Sequence, residues 1–228
     1  MNVPAMRRDA FDDEAIATVY RAIHGRRDCR EFIPGALPDG LLERLYAAAH
    51  AAPSVGYMQP WRLIHVSDPA LREGMARLVE AEHLRTAAEL PSRTTEFLKL
   101  KVDGIKSCAE LIVVALMDGC EKHIFGKRTL PEMALASAAC AIQNMWLAAR
   151  AEGIGMGWVS FFEPDALARL LAMPPGAKPI AILCLGRVAG FPEQPVLATL
   201  GWGRRLPLEA VVFENRWPAD AQPTPTVY

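Results

Sequence analysis

Arg26, Arg27 and Arg30 crowd into the segment RRDCREF, directly after a stretch with helical periodicity. A guanidinium presents a planar fork of donors that matches phosphate through two parallel hydrogen bonds, so this spacing suits a phosphorylated ligand. Asp28 sits inside the cluster. A carboxylate there can relay protons during bond cleavage, or it can pair with Arg26 or Arg30. Arg204 and Arg205 form a second basic pair near the C-terminus. The first group also fits a solvated basic turn, since helix ends attract cations, and the second fits a surface pair.

PSVGYMQPW, residues 53–61, combines two prolines, a glycine and two aromatics. That composition makes a shaped loop, either functional or simply packed, rather than a helix or strand. Gln59 offers both a donor and an acceptor, which suits the edge of a heterocycle. GIGMGW, residues 153–158, has the glycines of a nucleotide loop in the wrong context. The dinucleotide fingerprint requires strand, glycines, then helix. Here the glycines follow a helical stretch and open a strand, so a close backbone approach is the expected reason for them. Ser160 ends this segment without a nucleophile elbow around it. No metal site is expected: Cys120 and His123 are closely spaced but lack a second ligand pair, and His24, His50, His65 and His83 stand singly.

Several elements must position these residues. Helices are expected over 12–24, with Ile16, Val19, Tyr20 and Ile23 on one face, over 38–51 up to Pro53, and over 69–88. Residues 92–106 read as a further helix or a flap. Strands are expected at RLIHV (62–66), ELIVVALM (110–117), GMGWVSF (155–161) and PIAILCLG (179–186). The longest helix, 131–152, is apolar almost all round, with Gly153 as its stop. It calls for burial in a large core or against a second subunit. Strands and helices mix without regular alternation, which favours an α+β fold.

The whole chain has 228 residues, 51% of them hydrophobic, with 25 Lys+Arg against 26 Asp+Glu and a net charge of −1. One sizeable core fits that length, and a near-neutral balance argues against an electrostatic nucleic-acid binder. No apolar run reaches the roughly 18 residues of a membrane span, and the first residues lack a secretory core. The five cysteines form no CxxC pair, as expected of a reduced, cytoplasmic protein. The expected layout is an N-terminal extension over 1–14, one domain over 15–216, and a Pro-rich extended tail over 217–228.

RRDCREF, APSVGYMQPW, GIGMGWVS and RRLPLEAVV occur in the order and at the spacings of the nitroreductase-fold flavoproteins. Across about residues 15–216 the sequence resembles that family, and within it a branch that consumes reduced FMN. Three positions depart from the general family pattern: Asp28 replaces a small residue such as Ser, Tyr57 replaces Asn, and Gly203 replaces a Lys. The first two argue against ordinary nitroreductase activity, and Arg204 can supply the charge missing at Gly203.

The resemblance implies a mixed central sheet flanked by helices, in a homodimer. It implies oxygen-dependent fragmentation of reduced FMN to 5,6-dimethylbenzimidazole and erythrose 4-phosphate, with a separate flavin reductase supplying the reduced FMN. Arg26, Arg27, Arg30, Arg204 and Arg205 would hold the phosphate and polar groups of FMN. Cys29, Ser54, Gln59, Trp158 and Val159 would complete the FMN site, with Leu100 in a lid. Gly56 and Tyr57 would shape an oxygen pocket, and Asp28 and Ser160 would be the catalytic pair beside the flavin.

Overall fold

The computed structural model describes residues 10–117 and 128–218. Its four strands are β1 (Trp61–His65), β2 (Glu110–Met117), β3 (Gly155–Val159) and β4 (Ala177–Gly186), in the spatial order β1-β2-β4-β3. All three strand pairs are antiparallel. The expected mixed sheet is therefore antiparallel in its strands, and its parallel character is confined to a bridge between Asp28 and Met156. The α+β class stands as expected.

Both faces of the sheet are covered, which is why β2 reads as an unbroken apolar run. Ile112 and Val114 of β2, with Ala181, Leu183 and Leu185 of β4, enter one core cluster beneath α2 (Leu41–His50) and α5 (Met133–Ala151). Leu111, Val113, Ile182 and Cys184 point the other way, under α3 (Pro69–Ala88) and α6 (Pro164–Leu170). The period-two alternation of side chains thus feeds two cores from one strand.

Helix boundaries follow local chemistry. Asp12 caps α1 (Asp13–Gly25) by accepting from the Ala15 amide, and Asp13 and Glu14 occupy its first turn. Asp68 caps α3, whose first residue is Pro69. Gly153, at φ +75°, ends α5, and the Ile154 amide donates back to the Ala149 carbonyl. The segment 92–106 holds only the short helix α4 (Thr94–Leu98). Two helices, α6 and α7 (Val196–Thr199), have no counterpart in the sequence expectations.

The exposed surface carries two features of the expected faces. Ile16, Val19, Tyr20 and Ile23 do share a face of α1, and all are exposed. Ala134, Ala138, Ala141, Ile142 and Met145 of α5 are buried, whereas Leu135, Ala136 and Cys140 are open. Cys120 and His123 lie outside the described residues, as does the tail from 219 onward.

The glycines of β3 allow the segment around Cys29 to pack onto the sheet. A Cβ added at Gly157 would fall against the Cys29 carbonyl oxygen, and one at Gly155 against Val188 and the Cys29 side chain. The close backbone approach expected of GIGMG is therefore present. We predict that Gly157→Ala lowers stability by about 1–3 kcal/mol, the usual cost of overpacking. Gly190→Ala, where an added Cβ meets nothing within 4 Å, is the control. Equal urea midpoints for both variants would show that the Cys29 segment lifts away freely.

Candidate functional site

Asp28 and Arg30 form a knot at the end of β3. The Cys29 amide donates to the Met156 carbonyl at 3.0 Å, which lays the segment along the outer edge of β3. The Trp158 amide donates to Asp28 Oδ1 at 3.0 Å. Arg30 donates to Asp28 Oδ2 from Nε at 2.9 Å and from Nη2 at 2.6 Å. The same guanidinium reaches the carbonyls of Val102 and Trp158, each at 2.6 Å. Of the pairings open to Asp28 in the sequence, the one with Arg30 is formed. Its side chain is still 43% exposed, against 18% for Arg30, so the carboxylate keeps a face toward solvent.

The other two arginines of the cluster differ in their surroundings. Arg26 lies over the Trp146 ring, its Cζ 4.4 Å from the centroid. Arg27 donates to the carbonyls of His24 and Arg26 at 2.7 Å and to that of Glu193. Its Nε is buried and has no partner. Trp146 returns an indole hydrogen bond to the Arg27 carbonyl at 3.2 Å, and Arg150 Nε holds the Gly25 carbonyl at 2.9 Å. Cys29 is buried, and burial, followed by the nearby Asp28 charge, pushes its thiol upward from the ordinary range. Val159 is buried beside this knot, while Ser160 is exposed.

The 53–61 loop is shaped as its composition suggests. Gly56, Tyr57 and Gln59 all have positive φ, at 55°, 56° and 43°. Such backbone is costly for Tyr and Gln and must be held in place. Ser54 Oγ accepts from the Gln59 amide at 3.0 Å, and Ser137 Oγ accepts from the Val55 amide at 3.1 Å. The Gln59 side chain folds back onto the Tyr57 carbonyl. Tyr57 is 87% exposed.

These candidates do not form one cluster within a single chain. Ser137, which holds the loop, lies in the first half of α5; Trp146 and Arg150, which hold the arginine segment, lie in the second. The two anchoring regions are separated by roughly 14–20 Å along the helix at its usual rise per residue. Arg204 and Arg205 are exposed and make no hydrogen bond or ion pair among the described residues. Leu100 is partly buried at the end of the α4 segment.

A cleft of about 600 Å³ opens between α2 and β1, lined by Tyr46, His50, Gln59, Trp61 and Arg62 among others. The Trp61 indole donates toward His50 Nδ1 at 3.4 Å. The Tyr46 hydroxyl is buried and unpartnered. Burial, then the charges of Glu110 and Glu43, pushes its phenol up to about 12.

Sequence reasoning missed Trp146, Arg150 and the Val102 carbonyl as supports of the arginine segment. Arg150 carried one usable signal, a cation in the last turn of a long apolar helix. The Val102 carbonyl carried none, because a backbone acceptor has no mark in the sequence.

The sequence pattern of the nitroreductase family matches residues 23–187. A 5,6-dimethylbenzimidazole synthase of Rhodobacter capsulatus is 36% identical over 211 residues, covering 92% of this chain and 98% of that protein. One of Rhodospirillum rubrum is 34% identical over 184 residues, covering 80% and 87%. Among solved structures, oxidised iodotyrosine deiodinase bound to FMN and 3-iodo-L-tyrosine superposes with a TM-score of 0.68 at 20% identity, over 87% of this chain and all of that one.

The raised Tyr46 phenol predicts a pH effect. Its folded value lies above the ordinary value of 10, so the neutral form is favoured in the fold. The stability tied to that form is intact below about pH 10 and is lost as pH rises toward 12. Tyr46→Phe removes an unpartnered hydroxyl, so it should not destabilise at pH 8 and should lose less stability between pH 8 and about pH 11 than the wild type. Identical alkaline losses in urea melts of the two proteins would exclude Tyr46 as the source.

Proposed function

Because the chain belongs to the nitroreductase family, we propose that it binds reduced FMN and, with molecular oxygen, fragments it to 5,6-dimethylbenzimidazole, the lower ligand of vitamin B12, and erythrose 4-phosphate. The observation that carries this reading is the similarity, over nearly the full length of both chains, to proteins named for that synthesis. Asp28 supports it from the geometry: a partly open carboxylate is fixed by three hydrogen bonds at the end of β3, one of them from the amide of Trp158, two residues before Ser160.

The donor set fits a phosphorylated flavin. Arg27 keeps a buried Nε without a partner, and Arg204 and Arg205 keep whole guanidinium groups uncommitted among the described residues. Arg26, Arg27, Arg204 and Arg205 are assigned to the phosphate and the ribityl chain. Arg30 is assigned chiefly to fixing Asp28, since its donors already face Asp28, Val102 and Trp158. Bound reduced FMN supplies an electron-rich ring that molecular oxygen can attack. Asp28 accepts and returns protons as bonds of the substrate break, and the Ser160 hydroxyl orients the reacting region. Leu100 closes over the ring to exclude water, while Ser54, Gly56, Tyr57 and Gln59 border it and leave room for oxygen. Cys29, Trp158 and Val159 form the floor.

A second copy completes this site. One chain holds its arginine segment and its 53–59 loop at separated stretches of α5, and the exposed face of α1 and the open stripe at Leu135, Ala136 and Cys140 are suited to burial between copies. In this reading reduced FMN comes from a separate flavin reductase. A cytoplasmic setting suits that supply. No described helix is long and apolar enough to cross a membrane.

The direct test incubates the protein with chemically reduced FMN in air and seeks 5,6-dimethylbenzimidazole by mass spectrometry. Steady NADPH oxidation with a nitroaromatic acceptor, and no benzimidazole, would favour a recycling reductase instead. Asp28→Asn keeps the shape and removes the base. FMN affinity should hold while product formation falls at least about a hundredfold. Wild-type product yield from Asp28→Asn would leave Asp28 as an ion-pair partner of Arg30 and nothing more.

A further inference from the structure

Trp202 lies just before Arg204 and Arg205, and the structure grips it from two sides. Arg93 lies over its ring, with Cζ 3.6 Å from the centroid, and Phe97 meets it edge-on at 5.9 Å. Phe97 in turn packs on Phe161 at 6.0 Å and on His83 at 4.8 Å. Phe161 directly follows Ser160, and Phe97 belongs to α4, just ahead of Leu100. One aromatic cluster therefore joins three stretches that carry candidate site residues: the α4 segment, the end of β3 and the C-terminal arginine pair.

The chain that leads to Trp202 is held at its other end as well. Arg150 lies over the Phe191 ring at 4.1 Å, and Arg27 donates to the Glu193 carbonyl. From there the chain forms α7, and the Trp202 amide closes onto the Leu197 carbonyl at 2.8 Å. Val196, Leu197 and Leu200 are exposed along this strap. Its fixed points are thus the arginine segment at one end and Trp202 at the other. Beyond Trp202, the two arginines have no intramolecular partner among the described residues to fix them. Their placement depends on the last anchored residue before them.

We propose that Trp202, clamped by Arg93 and Phe97, is a positioning residue that sets where Arg204 and Arg205 meet the phosphate of the flavin. This rests on the reading of those arginines as phosphate ligands. A guanidinium placed in advance loses less entropy on binding, so loss of the clamp should weaken binding of the phosphorylated ligand. It should leave recognition of the ring untouched.

The test is a double-mutant cycle on the full chain, read by equilibrium binding of oxidised FMN and of riboflavin, which lacks the phosphate. The variants are Trp202→Ala, Trp202→Phe, the double variant Arg204→Ala/Arg205→Ala, and the triple combination with Trp202→Ala. Trp202→Ala should weaken FMN about tenfold, within the range of one charge-assisted contact, and leave riboflavin unchanged. Trp202→Phe, which keeps a ring under Arg93, should recover most of that loss. In the background lacking both arginines, Trp202→Ala should have no further effect on FMN. An additive effect there, or an equal loss for riboflavin, overturns the positioning role and leaves the arginine assignment standing. Unchanged FMN affinity in Arg204→Ala/Arg205→Ala overturns both.

Discussion

Backbone lies on backbone where Cys29 crosses Gly157, and the site follows from that contact. A side chain at Gly157 would occupy the space of the Cys29 carbonyl, so the two segments come together only where the Cβ is missing. Once they touch, the Cys29 amide finds the Met156 carbonyl and Asp28 reaches the Trp158 amide. Arg30 then has three acceptors within reach and closes the knot. Gly186 and Gly104 extend the same accommodation to the Phe32 ring, which packs against both. The absence of side chains on the sheet thus determines where a carboxylate can stand.

Arginine has a second use in this chain. Arg72 donates to the carbonyls of Val66, Cys108 and Ala109, much as Arg30 serves Val102 and Trp158 and Arg150 serves Gly25. Loops that enter a core bring carbonyls that no strand can satisfy, and a planar five-donor group can collect several at once. The basic cluster after α1 therefore mixes two purposes. Arg30 is largely spent on structure, and Arg27 is divided between carbonyls and an unsatisfied Nε. Lysine, with a single compact head, could not replace either by charge alone.

Much of the scaffold was legible in the sequence, and the reasons are local. The α3 range of 69–88 and the β2 range of 110–117 agree with the expected spans, because a cap with proline bounds one and an apolar run bounds the other. β4 begins two residues earlier than expected, since Ala177 and Lys178 pair with Met117 and Leu116 despite weak strand character. α6 was missed because seven residues offer too little periodicity. For the site, GIGMG was readable as a close approach because context excluded the nucleotide loop. The division of labour among Arg26, Arg27 and Arg30 was not readable, since it depends on carbonyls up to 166 residues away. The same holds for Trp202, whose partners Arg93 and Phe97 are distant in sequence.

The strand order has a consequence for how the molecule breathes. β2 and β4 lie in the interior of the sheet, paired on both sides and covered on both faces, so their amide protons can exchange with solvent only when the whole domain opens. The Cys29 amide is tied to the outermost strand by a single backbone bond. It can be released by a local excursion that draws Cys29 out of the second core while the strands stay paired. Deuterium uptake there would run on a faster clock than in the sheet centre, reporting the opening of the carboxylate knot separately from unfolding.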